Sequence, residues 1–423
     1  VTTQIETANG TEVADQEWAG EMRYVARQAI LDSSGRVQGY ELRFRNSHAS
    51  VPSGDGNLAA QTMLDNAVMF GLDRFTNGLP AFIPCSAEAL TERYVQVLAP
   101  TRTVLEISSS LEGTPGLVDA CRLLKARGFR LALDDFILKT DLEPLVRLAD
   151  YIKIDFYQFG TAERAHLQEL NWNLGSLIAK KVETQEDYRR ASAAGFALFL
   201  GDYFCHPVLL KKTKIPANTL PHFEIARHLC HDPIEVRKIS QLVKRDAALT
   251  YRLLRLVNSP IYAIRDEVFS IESAIMILGD DTFRRVVSLA IFSELNADQP
   301  PEILQMALIR GRFCEQAAKF CRLDSAEQYL LGMFSLASAM LRLPMEQFTQ
   351  SLPLRNEIRE ALEGTKNPER RLLSWIELRE HGDWAACDEI VETTGTSQER
   401  LNQCYADAVV WAYAALQPAV PCK

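Results

Sequence analysis

The chain reads as α/β followed by all-α: a shortened, TIM-like (β/α) barrel and then a helical domain. Three observations lead there. Short apolar or β-branched runs recur through the first half, most of them separated by a helix-length segment. From Ala81 their starts lie roughly 20 to 27 residues apart, the spacing of parallel strands joined by crossover helices. Acidic residues stand at the ends of these runs, where such a barrel builds its site. Beyond about residue 211 the apolar period changes from strand-like to helical.

In chain order, residues 1–20 are polar, contain Asn9-Gly10 and lack an apolar period, so a loose tail is expected. Strands are predicted at 24–31, 39–44, 81–83, 103–107, 130–133, 151–154, 177–182 and 196–200. About eight units predict a closed barrel over 21–208, under the roughly 250 residues such a barrel usually takes. Some helices or βα loops must therefore be short or missing. Lys211-Lys212-Thr213-Lys214-Ile215-Pro216-Ala217-Asn218 has charge, a proline and no apolar face, and marks the boundary. A helical domain is expected over 209–412. Asp232-Pro233-Ile234-Glu235 has a capping-box arrangement that predicts a helix start. Asp246 caps a stretch with Leu249, Leu253, Leu256 and Val257 on one face, closed by Asn258-Ser259-Pro260. Ser270 opens another helix that carries Ala274, Ile275 and Leu278 before Gly279, and Asp280-Asp281 opens the next. Residues 413–423 are expected to be a short polar tail.

The whole chain has 423 residues, of which 47% are apolar and 24% charged. That excludes disordered and collagen-like classes and gives room for two cores. A net charge of -9 offers no basic footprint, so neither nucleic acid nor an anionic membrane is expected as a partner. Nine cysteines, an odd number with no C-x-x-C pair, fit reduced thiols in the cytoplasm. No signal-peptide pattern and no apolar run of ~18 residues is present, so no membrane span is expected.

The candidate chemistry lies at the strand ends. Gly39-Tyr40 runs into Glu41, Val104-Leu105 into Glu106, Leu131-Ala132-Leu133 into Asp134-Asp135, and Tyr151-Ile152-Lys153-Ile154 into Asp155. Grouped carboxylates hold hard cations. A single acid at a strand end is more often a helix cap, but acids closing successive strands favour a shared site. Asp134 and Asp135 can converge only where the strand ends and the backbone turns, because neighbours on a strand face opposite ways.

These residues resemble the EAL domain, a family that hydrolyses cyclic di-GMP. Gly39-Tyr40-Glu41-Leu42-Arg43-Phe44-Arg45 is similar to its signature strand, with Leu42-Arg43 in place of Ala-Leu. Leu105-Glu106-Ile107-Ser108-Ser109, Leu133-Asp134-Asp135-Phe136, Ile152-Lys153-Ile154-Asp155, Ala179-Lys180-Lys181-Val182-Glu183-Thr184 and Gly201-Asp202-Tyr203-Phe204-Cys205-His206-Pro207 follow in the family's order. The resemblance implies that Glu41, Glu106 and Asp134 would hold one divalent cation and that Asp135 would help hold a second. Lys153 would position water or phosphate, and Arg45 would contact a phosphate of the ligand. It also implies a homodimer through the loop after the paired aspartates, although residues 136–141 depart from that loop's pattern.

Several of the family's parts are replaced. Its asparagine ligand falls on Pro84, its general base on Lys180, a loop glutamate on Ser109, a glycine on Ile137 and a glutamine on Leu200. Proline offers no side-chain oxygen, and an ammonium group cannot take a proton from water. The expected result is a remnant pocket of Glu41, Glu106, Asp134, Asp135, Lys153 and Glu183. In it Lys153, Lys180 and Lys181 are expected to supply the positive charge, the alternative being that Lys180 and Lys181 point to solvent; Mg²⁺ or Mn²⁺ is expected to bind weakly or not at all, and no cofactor is needed.

The second half resembles the HDOD domain, an all-helical relative of HD-type metal phosphohydrolases, over about 213–410. Asp246-Ala247-Ala248-Leu249-Thr250 with Leu253-Leu254-Arg255-Leu256-Val257-Asn258-Ser259-Pro260 is similar to its most recognisable helix. The His-Asp doublet of an HD site falls on Ser335-Leu336, and after His231 only His381 remains. Metal-dependent hydrolysis by this half is not expected. His222, His228, Cys230 and His231 read as a solvated helix end, with a zinc site as the lesser alternative, since no second carboxylate or cysteine lies at zinc-ligand spacing. Phosphate-loop, nucleophile-elbow and dinucleotide motifs are absent.

The expectation is a signalling protein with a catalytically degenerate EAL-like barrel and an HDOD module, acting by contact with other signalling proteins. The alternative is an active or cyclic di-GMP-binding phosphodiesterase or effector that uses Mg²⁺ or Mn²⁺.

Overall fold

A computed structural model describes residues 24–45, 72–111, 113–136, 142–169, 176–206, 220–231, 234–262, 264, 267–297 and 299–416. Eight strands close a barrel in sequence order: β1 Tyr24–Asp32, β2 Val37–Arg45, β3 Ala81–Cys85, β4 Thr103–Ser108, β5 Arg130–Asp134, β6 Tyr151–Asp155, β7 Leu177–Lys180 and β8 Leu198–Leu200. Each run read as a strand from the sequence contains one, although 181–182 and 196–197 lie outside β7 and β8. β1 departs from the parallel pattern, pairing antiparallel with both β2 and β8, whereas the pairs from β2–β3 to β7–β8 are parallel. The cause is local. Asp32 accepts hydrogen bonds from the amides of Ser34 (2.8 Å) and Arg36 (3.1 Å), Gly35 takes φ +76°, and the chain returns as a hairpin. A hairpin joins antiparallel strands, and only a longer crossover can join parallel ones.

Among the described residues, two of the barrel's connections carry short helices, in line with the expectation that some would be short. Between β3 and β4 the α-helical part is Ala87–Thr91, and between β5 and β6 it is Glu143–Val146. Longer helices follow β4 (α1, Pro115–Ala126) and β7 (α2, Gln185–Ala193). Thr114 caps α1 ahead of Pro115, and Thr184 with Asp187 forms a full capping box on α2.

Side chains alternate across a strand, so every second residue points into the barrel. Ile30, Phe82, Val104, Ala132, Ile178 and Leu200 form one buried apolar cluster, with Tyr151 and Leu198 against it. This is the barrel's lower layer. Gly39 belongs to it by omission: a Cβ there would stand 2.8 Å from the Phe82 ring. Two residues further along each strand come Glu41, Pro84, Glu106, Asp134, Lys153 and Lys180. The period of two therefore stacks a charged layer on an apolar floor.

The second half is helical: α3 Leu220–Leu229, α4 Val236–Lys244, α5 Ala247–Val257, α6 Ile271–Leu295, α7 Pro301–Cys321, α8 Ser325–Phe334, α9 Arg370–His381, α10 Trp384–Thr394 and α11 Gln398–Leu416. Asp246 caps α5 through the Leu249 amide (3.0 Å), and Ser270 caps α6 through that of Ser273 (3.1 Å), as their spacing predicts. α6 breaks at Gly279, which takes φ +71° and ψ 169°. Two boundaries need correction. α4 begins at Val236, and Glu235 before it has ψ 65° and makes no side-chain cap. α11 runs to Leu416, so 413–416 are not tail; Tyr413 and Ala415 are buried, which holds that last turn in place. Residues 1–20, 211–218, Asp232, Pro233 and 417–423 lie outside the described residues. No helix among the described residues is long and apolar enough to cross a membrane.

The hydrophobic interior does not divide at the linker. One core runs from Val25, Ala29, Tyr40 and Leu42 of the barrel into Ile303 and Ala307 of α7, Trp375 of α9, and Tyr405 and Val409 of α11. A second is confined to α3–α6, with Ile225, Ile239, Leu253, Phe283 and Val287. The later helices are thus packed with the barrel, and polar groups buried at that seam need partners. Arg27 of β1 donates to Glu302 (2.6 Å), to the Phe75 carbonyl (3.3 Å) and to the Tyr413 hydroxyl, while Tyr40 donates to the other Glu302 oxygen (2.8 Å). Arg379 of α9 donates to the Val25 carbonyl (2.9 Å).

Removing one partner of a buried ion pair leaves an uncompensated charge, whereas replacing both by apolar groups is often neutral. Arg27→Met is therefore expected to lower stability to urea by about 3 kcal/mol, and Arg27→Met/Glu302→Leu to recover most of it. A double variant as unstable as the single one would contradict this account of the seam.

Candidate functional site

The charged layer of the barrel closes on two ammonium groups. Lys153, on β6, is fully buried, and its Nζ lies 2.9 Å from Glu41 Oε2, 2.5 Å from Glu106 Oε1 and 3.4 Å from Asp134 Oδ1. Lys180, the last residue of β7, places its Nζ 2.7 Å from Asp134 Oδ1 and 2.7 Å from Asp135 Oδ1. Arg43, two residues beyond Glu41 on the same face of β2, donates from Nε to Glu41 Oε1 at 2.8 Å. Four carboxylates thus meet three cations. The backbone turns that allow this are visible: β5 ends at Asp134, and Asp135 takes φ +48°. Lys181, just after Lys180, takes φ +61° and swings outward to Asp155 (2.9 Å). Left-handed backbone at a non-glycine residue is uncommon and costs of order 1 kcal/mol or more, so both turns are held by the bonds around them.

The charges shape one another. Burial opposes ionisation of Glu41, but Lys153 and then Arg43 outweigh it and hold the carboxyl at about 2. For Glu106 burial wins, and its carboxyl rises from 4.5 to about 8 despite Lys153. Burial also works against charged Lys153, yet Glu106, Glu41 and Asp134 together push its pKa upward. Lys153 donates to Glu106 across a short bond, and both groups are pushed upward. The geometry supports a charged Lys153, which also serves Glu41, while burial pushes the Glu106 carboxyl up. Glu106 Oε2 is buried with no hydrogen-bond partner, and beside it on the neighbouring strand stands Pro84, its register partner.

Of the residues singled out in the sequence, Glu41, Glu106, Asp134, Asp135 and Lys153 converge, and Lys180 joins them. Glu183 does not: it is exposed beyond the end of β7, because the turn at Lys181 carries the chain out of the barrel. The Arg45 side chain lies outside the described residues. Ser109 donates its hydroxyl to the Asp135 carbonyl and so supports the turn there. Arg43 was missed as a site residue, although its i+2 spacing from Glu41 on a strand places both on one face. In the helical half Ser335 receives Arg310 (3.2 Å), whose guanidinium also binds Glu380 (2.6 Å). Leu336 beside it is buried.

Glu106 makes a pH-dependence measurable. Its folded-state pKa is raised from 4.5 to about 8, so between those values the folded protein holds a proton that the unfolded chain releases. Its contribution to stability therefore declines as pH rises through that window. Glu41, lowered to about 2, acts oppositely and loses its contribution on acidification below 4.5. Glu106→Gln keeps the neutral form, so its urea stability relative to the parent is expected to improve as pH rises from 5 to 8. A difference that is flat with pH would show that Glu106 is ionised throughout.

Comparison with known proteins supplies the family. The HDOD domain family matches residues 218–341. An uncharacterised protein of Bacillus subtilis, YuxH, is 31% identical over 402 residues, covering 92% of this chain and 98% of that protein. CdgJ of Vibrio cholerae, named a cyclic di-GMP phosphodiesterase, is 29% identical over 397 residues, covering 92% of each. Among solved structures, the chain is similar to a standalone EAL protein of Vibrio cholerae with bound c-di-GMP, at 19% identity over 44% of this chain and 91% of that one, with a TM-score of 0.36. The chain belongs to one family with YuxH, and its layout is that of an EAL-like barrel, related to cyclic di-GMP phosphodiesterases, followed by an HDOD domain.

Proposed function

We propose that the barrel has lost phosphodiester hydrolysis and that the protein acts in cyclic di-GMP-linked signalling in the cytoplasm, by contact with other signalling proteins. The observation that carries this reading is Lys180, whose Nζ stands 2.7 Å from both Asp134 and Asp135. Hydrolysis in this family calls for divalent cations on these acids and a base to activate water. Divalent cations need oxygen ligands. Here Glu41, Glu106 and Asp134 already surround the Lys153 ammonium, the aspartate pair surrounds that of Lys180, and β3 brings Pro84, with no side-chain oxygen, against Glu106. The residues do not fit a pair of divalent cations. No step of hydrolysis is assigned to them, because the position of the general base carries a donor where an acceptor is required.

Without catalysis, two large surfaces remain, those of the barrel and of the HDOD domain, on a frame locked by the Arg27–Glu302 seam. The competing reading, hydrolysis or binding of cyclic di-GMP, is favoured by the similarity to CdgJ along 92% of each chain.

Two measurements separate these readings. Purified full-length protein, incubated with cyclic di-GMP and Mg²⁺ or Mn²⁺, is expected to yield no linear dinucleotide; metal-dependent product that disappears on chelation would overturn the proposal. Calorimetry is expected to show no micromolar Mn²⁺ binding by the parent. Pro84→Asn/Lys180→Glu, which restores two oxygen donors, is expected to gain affinity by at least ~10-fold. A parent that binds Mn²⁺ as well as this variant does would show that the lysines yield to metal.

A further inference from the structure

The corner where α3 meets α4 carries a group of side chains that the barrel's chemistry does not use. His228 Nδ1 contacts Glu235 Oε2, His231 Nε2 lies 3.8 Å from the same oxygen, and the three donor atoms all lie within 4.8 Å of one another. The second Glu235 oxygen, Oε1, is held by Lys238 at 2.7 Å. Glu235 has left helical geometry and caps nothing, so its carboxylate is free to face the histidines. Arg284 of α6 donates to the His231 carbonyl (3.4 Å) and ties that residue's backbone to the helical core. Cys230, close by in sequence, turns its thiol to the Ala226 carbonyl and takes no part.

The geometry points to a Zn²⁺ site formed by His228 Nδ1, His231 Nε2 and Glu235 Oε2, with water completing the coordination. Tetrahedral zinc with ligands at ~2 Å sets neighbouring donor atoms ~3.3 Å apart, a spacing within the range these three separations span. Two imidazoles and one carboxylate are a donor set that favours zinc, while Mg²⁺ prefers an all-oxygen octahedron and competes poorly. The Lys238 bond to Oε1 orients the carboxylate from outside the coordination sphere, as such partners do at metal sites. His228, His231 and Glu235 side chains are 18%, 47% and 32% exposed, so an ion can reach them from solvent. The site staples α3 to α4, whose Ile225, Leu229 and Ile239 enter the second core. Metal binding there is therefore coupled to the stability of that core.

The test is titration of the full chain with Zn²⁺ in excess Mg²⁺, followed by calorimetry, with Co²⁺ as a spectroscopic probe. The parent is expected to bind one more equivalent than His231→Ala or Glu235→Gln, each of which loses affinity at this site by more than the ~10–100-fold typical of an outer partner. Neither substitution touches a core side chain, so both variants are expected to stay folded. Co²⁺ in the parent is expected to give visible bands without intense thiolate-to-metal absorption, bands that both variants lack. Equal Zn²⁺ stoichiometry in parent and variants, or a parent spectrum dominated by thiolate absorption, would overturn the assignment.

Discussion

Two lysine ammonium groups set among four carboxylates are the constraint on which the barrel's upper half depends. Lys153 is wholly buried, and a buried charge without partners would cost many kcal/mol; Glu41, Glu106 and Asp134 are what make it tolerable. The same acids, without cations near them, would repel one another and be driven to protonation. Each set therefore stabilises the other. Burial pushes the Glu106 carboxyl up, and Pro84, with no side-chain donor or oxygen, is the register partner of Glu106, whose Oε2 is buried without a hydrogen-bond partner.

That balance lets the framework stand with no external ion in the site. In a barrel of this type the strand ends must be polar because the site opens there, and the floor below must be apolar because it is closed. The apolar cluster of Phe82, Val104, Ala132 and Ile178 keeps water from the underside of the ion network. A site filled from within by Lys180 remains satisfied without an external ion. The frame is stabilised a second time at the seam, where Arg27, Tyr40, Glu302 and Tyr413 join β1 and β2 to α7 and α11. It joins α7 and α11 to the barrel.

Much of this was legible in the sequence, for physical reasons that can be named. Strand positions follow from apolar runs and the period of two, and the same period orders the charged layer, since Glu106, Asp134, Lys153 and Lys180 each stand two residues beyond a floor residue. Applied to β2, it would also have paired Arg43 with Glu41. The antiparallel start was readable as well, because Asp32-Ser33-Ser34-Gly35 is a hairpin turn. What was not legible depends on contacts distant in sequence. Arg27 and Glu302 are 275 residues apart, and no local pattern pairs them. Glu235 looked like part of a capping box; only the folded corner turns its carboxylate to His228 and His231. Glu183 follows a strand that ends in charge, yet the left-handed turn at Lys181 carries it out of the pocket.

The most direct test of the central claim is a crystal of the full chain grown with Mn²⁺ and cyclic di-GMP, with anomalous diffraction used to locate manganese. The account predicts no manganese peak among Glu41, Glu106, Asp134 and Asp135, with Lys180 still bridging the two aspartates. Manganese bound among these acids, with Lys180 displaced toward solvent, would contradict it.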